Sequence, residues 1–233
     1  MSKFKNILIS GVAGLSIIGL SAGYASAADY AAPESFDWTG FYLGGHVGYG
    51  EADLQGDWCP SECEFSMGDL DMSGFLGGAQ AGYNWQMDSL VLGIEGDISF
   101  PAWSDTQGNC DGDCTSNGTA NIDALASIRA RLGVAFMERG LLYATGGLAY
   151  ADGEFTGYCA EACGSQNLNA WGGVFGGGLE YAVVDNVSLR AEGLYYMFDD
   201  KNSIEDFEES STGDSTGIDD AFVIRIGMNW LIN

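Results

Sequence analysis

The sequence predicts an all-β fold, an eight-stranded antiparallel transmembrane β-barrel with short periplasmic turns and four long surface loops. Three observations carry this expectation. Eight stretches alternate apolar and polar residues with period two, which is the periodicity of an extended strand. Their connections alternate between tight turns and long polar segments, as in barrels that cross an outer membrane. Each stretch also reaches the roughly 9–11 residues that a tilted strand needs to cross hydrocarbon. A soluble up-and-down barrel would bury its apolar faces and turn its charged faces to water. Here the charged faces are expected to line the lumen, and the apolar faces to meet lipid.

The first strand is expected over Trp38–Gly50, with Phe41, Leu43, Val47 and Tyr49 on one face and Tyr42, Gly44, His46 and Gly48 on the other. The polar stretch Glu51–Asp71 follows. The second strand, Phe75–Gln86, sets Ala79, Ala81, Tyr83 and Trp85 outside, and Met87-Asp88-Ser89 turns it into the third, Leu90–Phe100. There Leu92, Ile94, Ile98 and Phe100 oppose Glu95, Asp97 and Ser99. After the polar stretch Pro101–Asn121, the fourth strand, Ala124–Phe136, opposes Ile128, Leu132 and Val134 to Arg129 and Arg131. Glu138-Arg139-Gly140 turns it into the fifth, Leu141–Tyr150.

A third polar stretch, Ala151–Asn169, leads to the sixth strand, Ala170–Ala182, which carries Glu180 inward. Val184-Asp185-Asn186 turns into the seventh, Val187–Phe198, with Arg190 and Glu192 on one face. After Asp199–Gly217 comes the eighth strand, Ala221–Ile232. Its apolar face is Phe222, Ile224, Ile226, Met228, Trp230 and Ile232, and Arg225 and Asn229 lie opposite. An even strand number leaves both termini on one side, and closure removes edges whose backbone groups lipid could not satisfy.

Met1–Ala27 reads as a secretory signal: Lys3 and Lys5 precede an apolar run from Ile7 to Leu20, and Ala25-Ser26-Ala27 forms a small-x-small cleavage site. Residues 28–233 are then expected to be one barrel domain. The net charge is −25, and beyond the signal the cations are Arg129, Arg131, Arg139, Arg190, Lys201 and Arg225. A chain this acidic excludes charge-driven nucleic-acid binding. Glycine is abundant, at 36 residues, yet aromatics are plentiful, which argues for glycine-rich β structure over disorder.

Asp37-Trp38-Thr39-Gly40-Phe41-Tyr42-Leu43-Gly44-Gly45, Gly82-Tyr83-Asn84-Trp85-Gln86, Arg129-Ala130-Arg131-Leu132-Gly133 and Arg225-Ile226-Gly227-Met228-Asn229-Trp230 together resemble the opacity-like, OmpA-like outer-membrane surface-antigen family, often called porin-like. The resemblance covers the whole predicted barrel. It implies a bacterial outer-membrane location, insertion by the barrel-assembly machinery, and contact with outer-membrane lipid and lipopolysaccharide. Some members of the family bind haemin. The chain departs from the family in placing Ile232 and Asn233 where an aromatic residue usually ends it, and in its cysteine-bearing loops.

Four groups of residues are candidates for function. Glu95, Asp97, Arg129, Arg131, Glu180, Arg190, Glu192 and Arg225 are expected to form a charge network inside the lumen. That network is either a structural plug or the filter of a narrow channel. Six cysteines use one spacing three times, Cys59/Cys63, Cys110/Cys114 and Cys159/Cys163, each pair in a different expected loop and none in a strand. Past a secretory signal they are candidates for disulfides, either local or between loops. The C-x₃-C spacing also falls within that of thiolate zinc sites.

The first and last loops are crowded with acids, including Asp57, Glu62 and Glu64 in one and Glu205, Asp206, Glu208 and Glu209 in the other. They are either a solvated surface or weak divalent-cation ligands that bridge to lipopolysaccharide. His46 is expected to be a structural group facing inward. No nucleophile, base and acid stand in a catalytic arrangement, so no enzyme, cofactor or metal site is assigned. The expected function is an outer-membrane surface barrel with a structural role in the cell envelope, presenting acidic cysteine-bearing loops. A narrow channel, or capture of a cation or haemin by the loops, is the alternative.

Overall fold

The computed structural model describes residues 35–55, 70–108, 117–158, 163–198 and 217–232. Among them are nine strand segments: β1 (Gly40–Gln55), β2 (Leu70–Met87), β3 (Leu90–Pro101), β4 (Trp103–Gly108), β5 (Asn117–Phe136), β6 (Gly140–Tyr158), β7 (Cys163–Val184), β8 (Val187–Phe198) and β9 (Gly217–Ile232). Both β3 and β4 pair with β5, so they are two parts of one barrel strand interrupted at Ala102. Each strand pairs antiparallel with its neighbour, and β9 returns to β1 with Phe41 opposite Ile232. The eight-stranded barrel is therefore closed.

The faces follow the period-two pattern. Phe41, Leu43, Val47, Leu132, Ile224, Ile226, Met228 and Trp230 are exposed, whereas His46, Glu95, Arg129, Glu180 and Arg225 are buried. Large apolar side chains on the outer wall need lipid around them, since water would leave this surface unsolvated. Aromatic residues bracket the band. On β1, Phe41 and Tyr49 lie eight residues apart, as do Trp230 and Phe222 on β9. At about 3.3 Å per residue and a tilt of about 40°, that spacing spans about 20 Å of bilayer, close to the ~25 Å apolar band of outer-membrane barrels.

The strands run further than the alternation predicts. Residues 51–55 and 70–71, expected in the first loop, continue the β1–β2 ladder, with Ala52 opposite Met72. Residues 103–108 and 117–121 pair in the second, residues 151–158 and 163–169 in the third, and residues 217–220 extend β9. In these extensions the outward face no longer has to be apolar, so the period-two contrast fades while backbone pairing goes on.

A second departure is the bulge at Asp123, where the β5–β6 register shifts between Ile122 and Ala124. It lets Ile122 and Leu125 both point inward although they are three residues apart. The tight turns match the expected positions, and Asp88, Met137 and Glu138 take positive φ there.

The expected signal peptide, residues 1–27, lies outside the described residues. So do Cys59, Cys63, Cys110, Cys114 and Cys159, together with most of the acids of the first and last loops. Cys163 is an exception: it is the first residue of β7, paired across the ladder with Tyr158. The expectation that no cysteine lies in a strand is corrected there. The stretch Cys163–Asn169 carries no run of alternating apolar residues in its sequence, so the period-two pattern does not mark it.

Candidate functional site

The lumen is built in three layers. Its middle is charged. Glu95 and Asp97 project from β3, Arg129 from β5, Arg190 and Glu192 from β8, and Arg225 from β9, all with side chains almost wholly buried. Arg129 meets Glu95, reaches Glu192 Oε1 at 3.1 Å through Nη1, and reaches Asp97 Oδ2 at 3.1 Å through Nη2. Arg225 donates from Nη1 to Asp97 Oδ1 at 2.7 Å and from Nε to Glu192 Oε2 at 2.7 Å. Arg190 Nη1 donates to Glu95 Oε2 at 2.5 Å. Three guanidinium groups thus face three carboxylates.

Neutral donors complete the acids. The Tyr42 hydroxyl donates to Glu95 at 2.7 Å, the Tyr143 hydroxyl donates to Glu192 at 3.1 Å, and the Ser127 hydroxyl donates to Asp97. Glycine makes room for both tyrosines. A Cβ on Gly82 would sit 2.3 Å from the Tyr42 oxygen, and one on Gly178 would sit 2.6 Å from the Tyr143 oxygen.

A fourth pair, Arg131 on β5 and Glu180 on β7, extends the network. Arg131 donates to Glu180 and stacks its guanidinium 3.6 Å from the Tyr143 ring centre. Glu180 also accepts from Ser188 Oγ at 2.5 Å and Asn229 Nδ2 at 2.7 Å. From Asn229 a polar chain crosses the barrel. Gln80 Nε2 donates to Asn229 Oδ1 at 2.8 Å, and Gln80 Oε1 lies 2.6 Å from His46 Nδ1. With Nδ1 carrying the proton, His46 donates to Gln80 and accepts from the Ser99 hydroxyl at Nε2, 2.8 Å away. Both ring nitrogens are engaged, so His46 offers no open position to a ligand.

The structure therefore brings all eight sequence-identified charges together, four cations with four anions. What the sequence reading missed is above and below them. Toward the surface loops an apolar cluster containing Met72, Leu76, Trp103, Leu125, Tyr196 and Val223 fills the bore. Trp103 seats its ring there and donates from Nε1 to the Gly74 carbonyl at 2.9 Å. Toward the short turns a second cluster holds Phe36, Trp38, Tyr42, Val91, Leu141 and Leu231.

Phe36 and Trp38 precede β1, pack edge to face at 4.7 Å, and are tied down by bonds from Phe36 N to Glu138 O and Trp38 N to Gln86 Oε1. A signal for them was present. Counting back in steps of two from the inward Tyr42 passes through Gly40 to Trp38 and Phe36. Among the described residues no group of three or more His, Cys, Asp and Glu side chains is arranged to hold a metal ion.

A closed barrel with a lipid-facing apolar wall and a charged interior defines an integral outer-membrane β-barrel protein. The chain belongs to the outer membrane protein beta-barrel domain family, whose model matches residues 15–230. It is 31% identical to the 31 kDa outer-membrane immunogenic protein of Brucella melitensis, over 97% of this chain and 99% of the relative. It is 29% identical to the 22 kDa outer membrane protein of Rhizobium leguminosarum bv. viciae, over 83% of this chain and 78% of the relative. A 25 kDa outer-membrane immunogenic protein of Brucella abortus is 28% identical over 72% of this chain and 68% of its own length. The protein is thus an outer-membrane surface barrel of the bacterial cell, of the surface-antigen kind that its sequence motifs resemble.

Proposed function

We propose that the protein acts in the cell envelope as a non-conducting, non-enzymatic barrel that anchors acidic, cysteine-bearing loops at the outer surface. The observation that supports this reading is the filled lumen: a charge layer of four cations and four anions lies between two apolar layers. An ion entering such a bore would have to displace paired charges and then cross packed apolar side chains. A balanced network also leaves no excess charge to select an ion. The loop carboxylates serve as weak divalent-cation ligands that bridge to lipopolysaccharide phosphates, and the wall is solvated by outer-membrane lipid after insertion by the barrel-assembly machinery.

Single-channel recording of refolded protein in planar bilayers tests the reading. A silent trace despite demonstrated insertion is the expected result. Discrete, reproducible conductance steps would replace it with that of a narrow porin-like channel.

A further inference from the structure

A groove crosses the lipid-facing wall from β7 to β2. It follows one rung of the sheet, in which Gly78 pairs with His46, His46 with Gly227, and Gly227 with Arg190. His46 and Arg190 turn their side chains into the lumen, so the floor of the groove is sheet backbone. Tyr181, Leu189 and Met228 form its lower side, nearer the short turns, and Leu179, Ile226 and Val47 form its upper side, all of them exposed. Each side is lowered at one point, by Gly45 in the lower row and by Ala191 in the upper, and the groove has a volume of about 760 Å³.

Depth and length set what fills it. Gly45, Val47, Ile226 and Met228 all lie between the aromatic residues that bracket the apolar band, so hydrocarbon is the surrounding medium. From β7 to β2 the rung takes four inter-strand steps of about 4.8 Å, a length of about 19 Å. With strands tilted about 40° from the membrane normal the groove climbs about 12 Å, half of the ~25 Å apolar band. Its low end is at Tyr181, three residues before β7 ends at a short turn; its high end is at Gly78, nine residues before β2 ends at another. A single acyl chain entering from the short-turn side reaches the middle of the bilayer along this path. A protein partner fits less well, because twelve residues line the groove whereas a stable interface takes about 20–30 a side.

The low end carries charge. Gly140, opposite Tyr181, follows Arg139, whose carbonyl accepts from Ala182 N at 2.9 Å. Arg139 is the only cation among the described residues that lies outside the lumen. Its Nη2 lies 3.1 Å from Asp185 Oδ1 in an exposed pair, and the neighbouring Glu138 is also exposed. A surface pair of this kind is weak, so each partner can exchange the other for a ligand. One cation with acids beside it suits a headgroup that carries both signs.

We infer that the groove binds one phospholipid of the periplasmic leaflet, with an acyl chain along its floor, the phosphate at Arg139 and a headgroup ammonium at Asp185. This is one lipid held in one orientation, distinct from the lipid that solvates the rest of the wall. The site rests on the barrel's place in the membrane and not on a silent lumen, so a conducting barrel would keep it.

The test refolds the full chain in detergent and adds phosphatidylethanolamine, phosphatidylglycerol or diacylglycerol with the same chains. Native mass spectrometry then reads the lipid retained. Phosphatidylethanolamine should be retained at one molecule per barrel, several-fold above the other two. A Cβ on Gly45 meets nothing closer than the Gly78 carbonyl at 3.5 Å, so Gly45→Leu combined with Ala191→Leu fills the groove from outside. This variant should lose the bound lipid and keep the heat-dependent gel shift, whereas Ala130→Leu, on the outer face of β5, should retain lipid normally. Arg139→Gln should lower retention several-fold, and Asp185→Asn should remove the advantage of phosphatidylethanolamine over phosphatidylglycerol. Phosphatidylethanolamine with a photoreactive chain end should label β1 and β2 near Val47 and Gly77, and with the reactive group beside the ester it should label β7 near Tyr181.

Equal retention of the three lipids, retention that survives the filled groove, or labels spread evenly around the wall would reduce the site to ordinary solvating lipid and overturn the inference. Labels in the reverse order would overturn it as well. If the filled-groove variant fails to fold, the label positions in the unaltered chain decide.

Discussion

Removing either partner of the Arg131–Glu180 pair should be costly, and by unequal amounts. Arg131 and Glu180 are both buried, and in the described network Glu180 is the one carboxylate that Arg131 contacts. Breaking a buried ion pair from one side costs about 3–5 kcal/mol, because a desolvated charge is left behind. The two halves differ in what remains. In Arg131→Met, Glu180 keeps the Ser188 and Asn229 donors at 2.5 and 2.7 Å, which places this variant near the lower end, about 3 kcal/mol. In Glu180→Gln, Arg131 keeps the Tyr143 ring and a neutral amide oxygen, while Ser188 and Asn229 lose their charged acceptor. That variant belongs at the upper end, about 5 kcal/mol.

The double variant leaves no unpaired charge and should cost less than the sum of the two single losses, by a coupling energy of about 3 kcal/mol. Urea unfolding of the refolded barrel in lipid vesicles, read by tryptophan fluorescence and by the heat-dependent gel shift, measures all four corners of the cycle. Single variants that each cost under about 1 kcal/mol, or losses that simply add, would refute the claim that this pair holds the lumen together.

Three further outcomes are expected. Leu132→Arg places a cation on the lipid-facing wall within the apolar band and should cost about 2–4 kcal/mol of barrel stability; unchanged stability in bilayers would mean the inward and outward faces are misassigned. Gly82→Val drives side-chain atoms into the Tyr42 ring and hydroxyl and the Ile94 carbonyl, and should displace Tyr42 from Glu95; urea unfolding in lipid vesicles should show a loss of barrel stability, and unchanged stability would refute this close packing. Changing all six cysteines to serine should leave the heat-resistant folded form nearly intact, since local bridges Cys59–Cys63, Cys110–Cys114 and Cys159–Cys163 would close loops too short to remove much chain entropy. Mass mapping that recovers peptides linked between different loops would rule out the local pairing, and stoichiometric zinc in protein purified without added metal would favour thiolate sites.

Much of the barrel was legible in the sequence, for a simple reason. Lipid imposes a strict demand on every second side chain, and a demand with period two can be read from one sequence. It marks Leu132 as outward and Arg131 as inward without any knowledge of the partner strands. Tight turns at Asp88-Ser89 and Asp185-Asn186 set the hairpins in the same local way.

Where lipid ends, that demand ends too. The pairing of residues 103–108, 117–121 and 163–169 leaves no apolar stripe, because backbone hydrogen bonds do not depend on side-chain identity. Nor does one sequence state which carboxylate an arginine meets. Arg129 finds Glu95, Asp97 and Glu192 only because closing the barrel brings β3, β5 and β8 around one bore.

The sequence alone determined the all-β class, the inward and outward faces of the crossing strands, and the set of charges that must be buried together. Tertiary structure decided how those charges pair, and that Trp103 and Trp38 seal the bore above and below them. These last features depend on the stagger of eight strands around a closed circle, a relation among distant segments that no local pattern encodes.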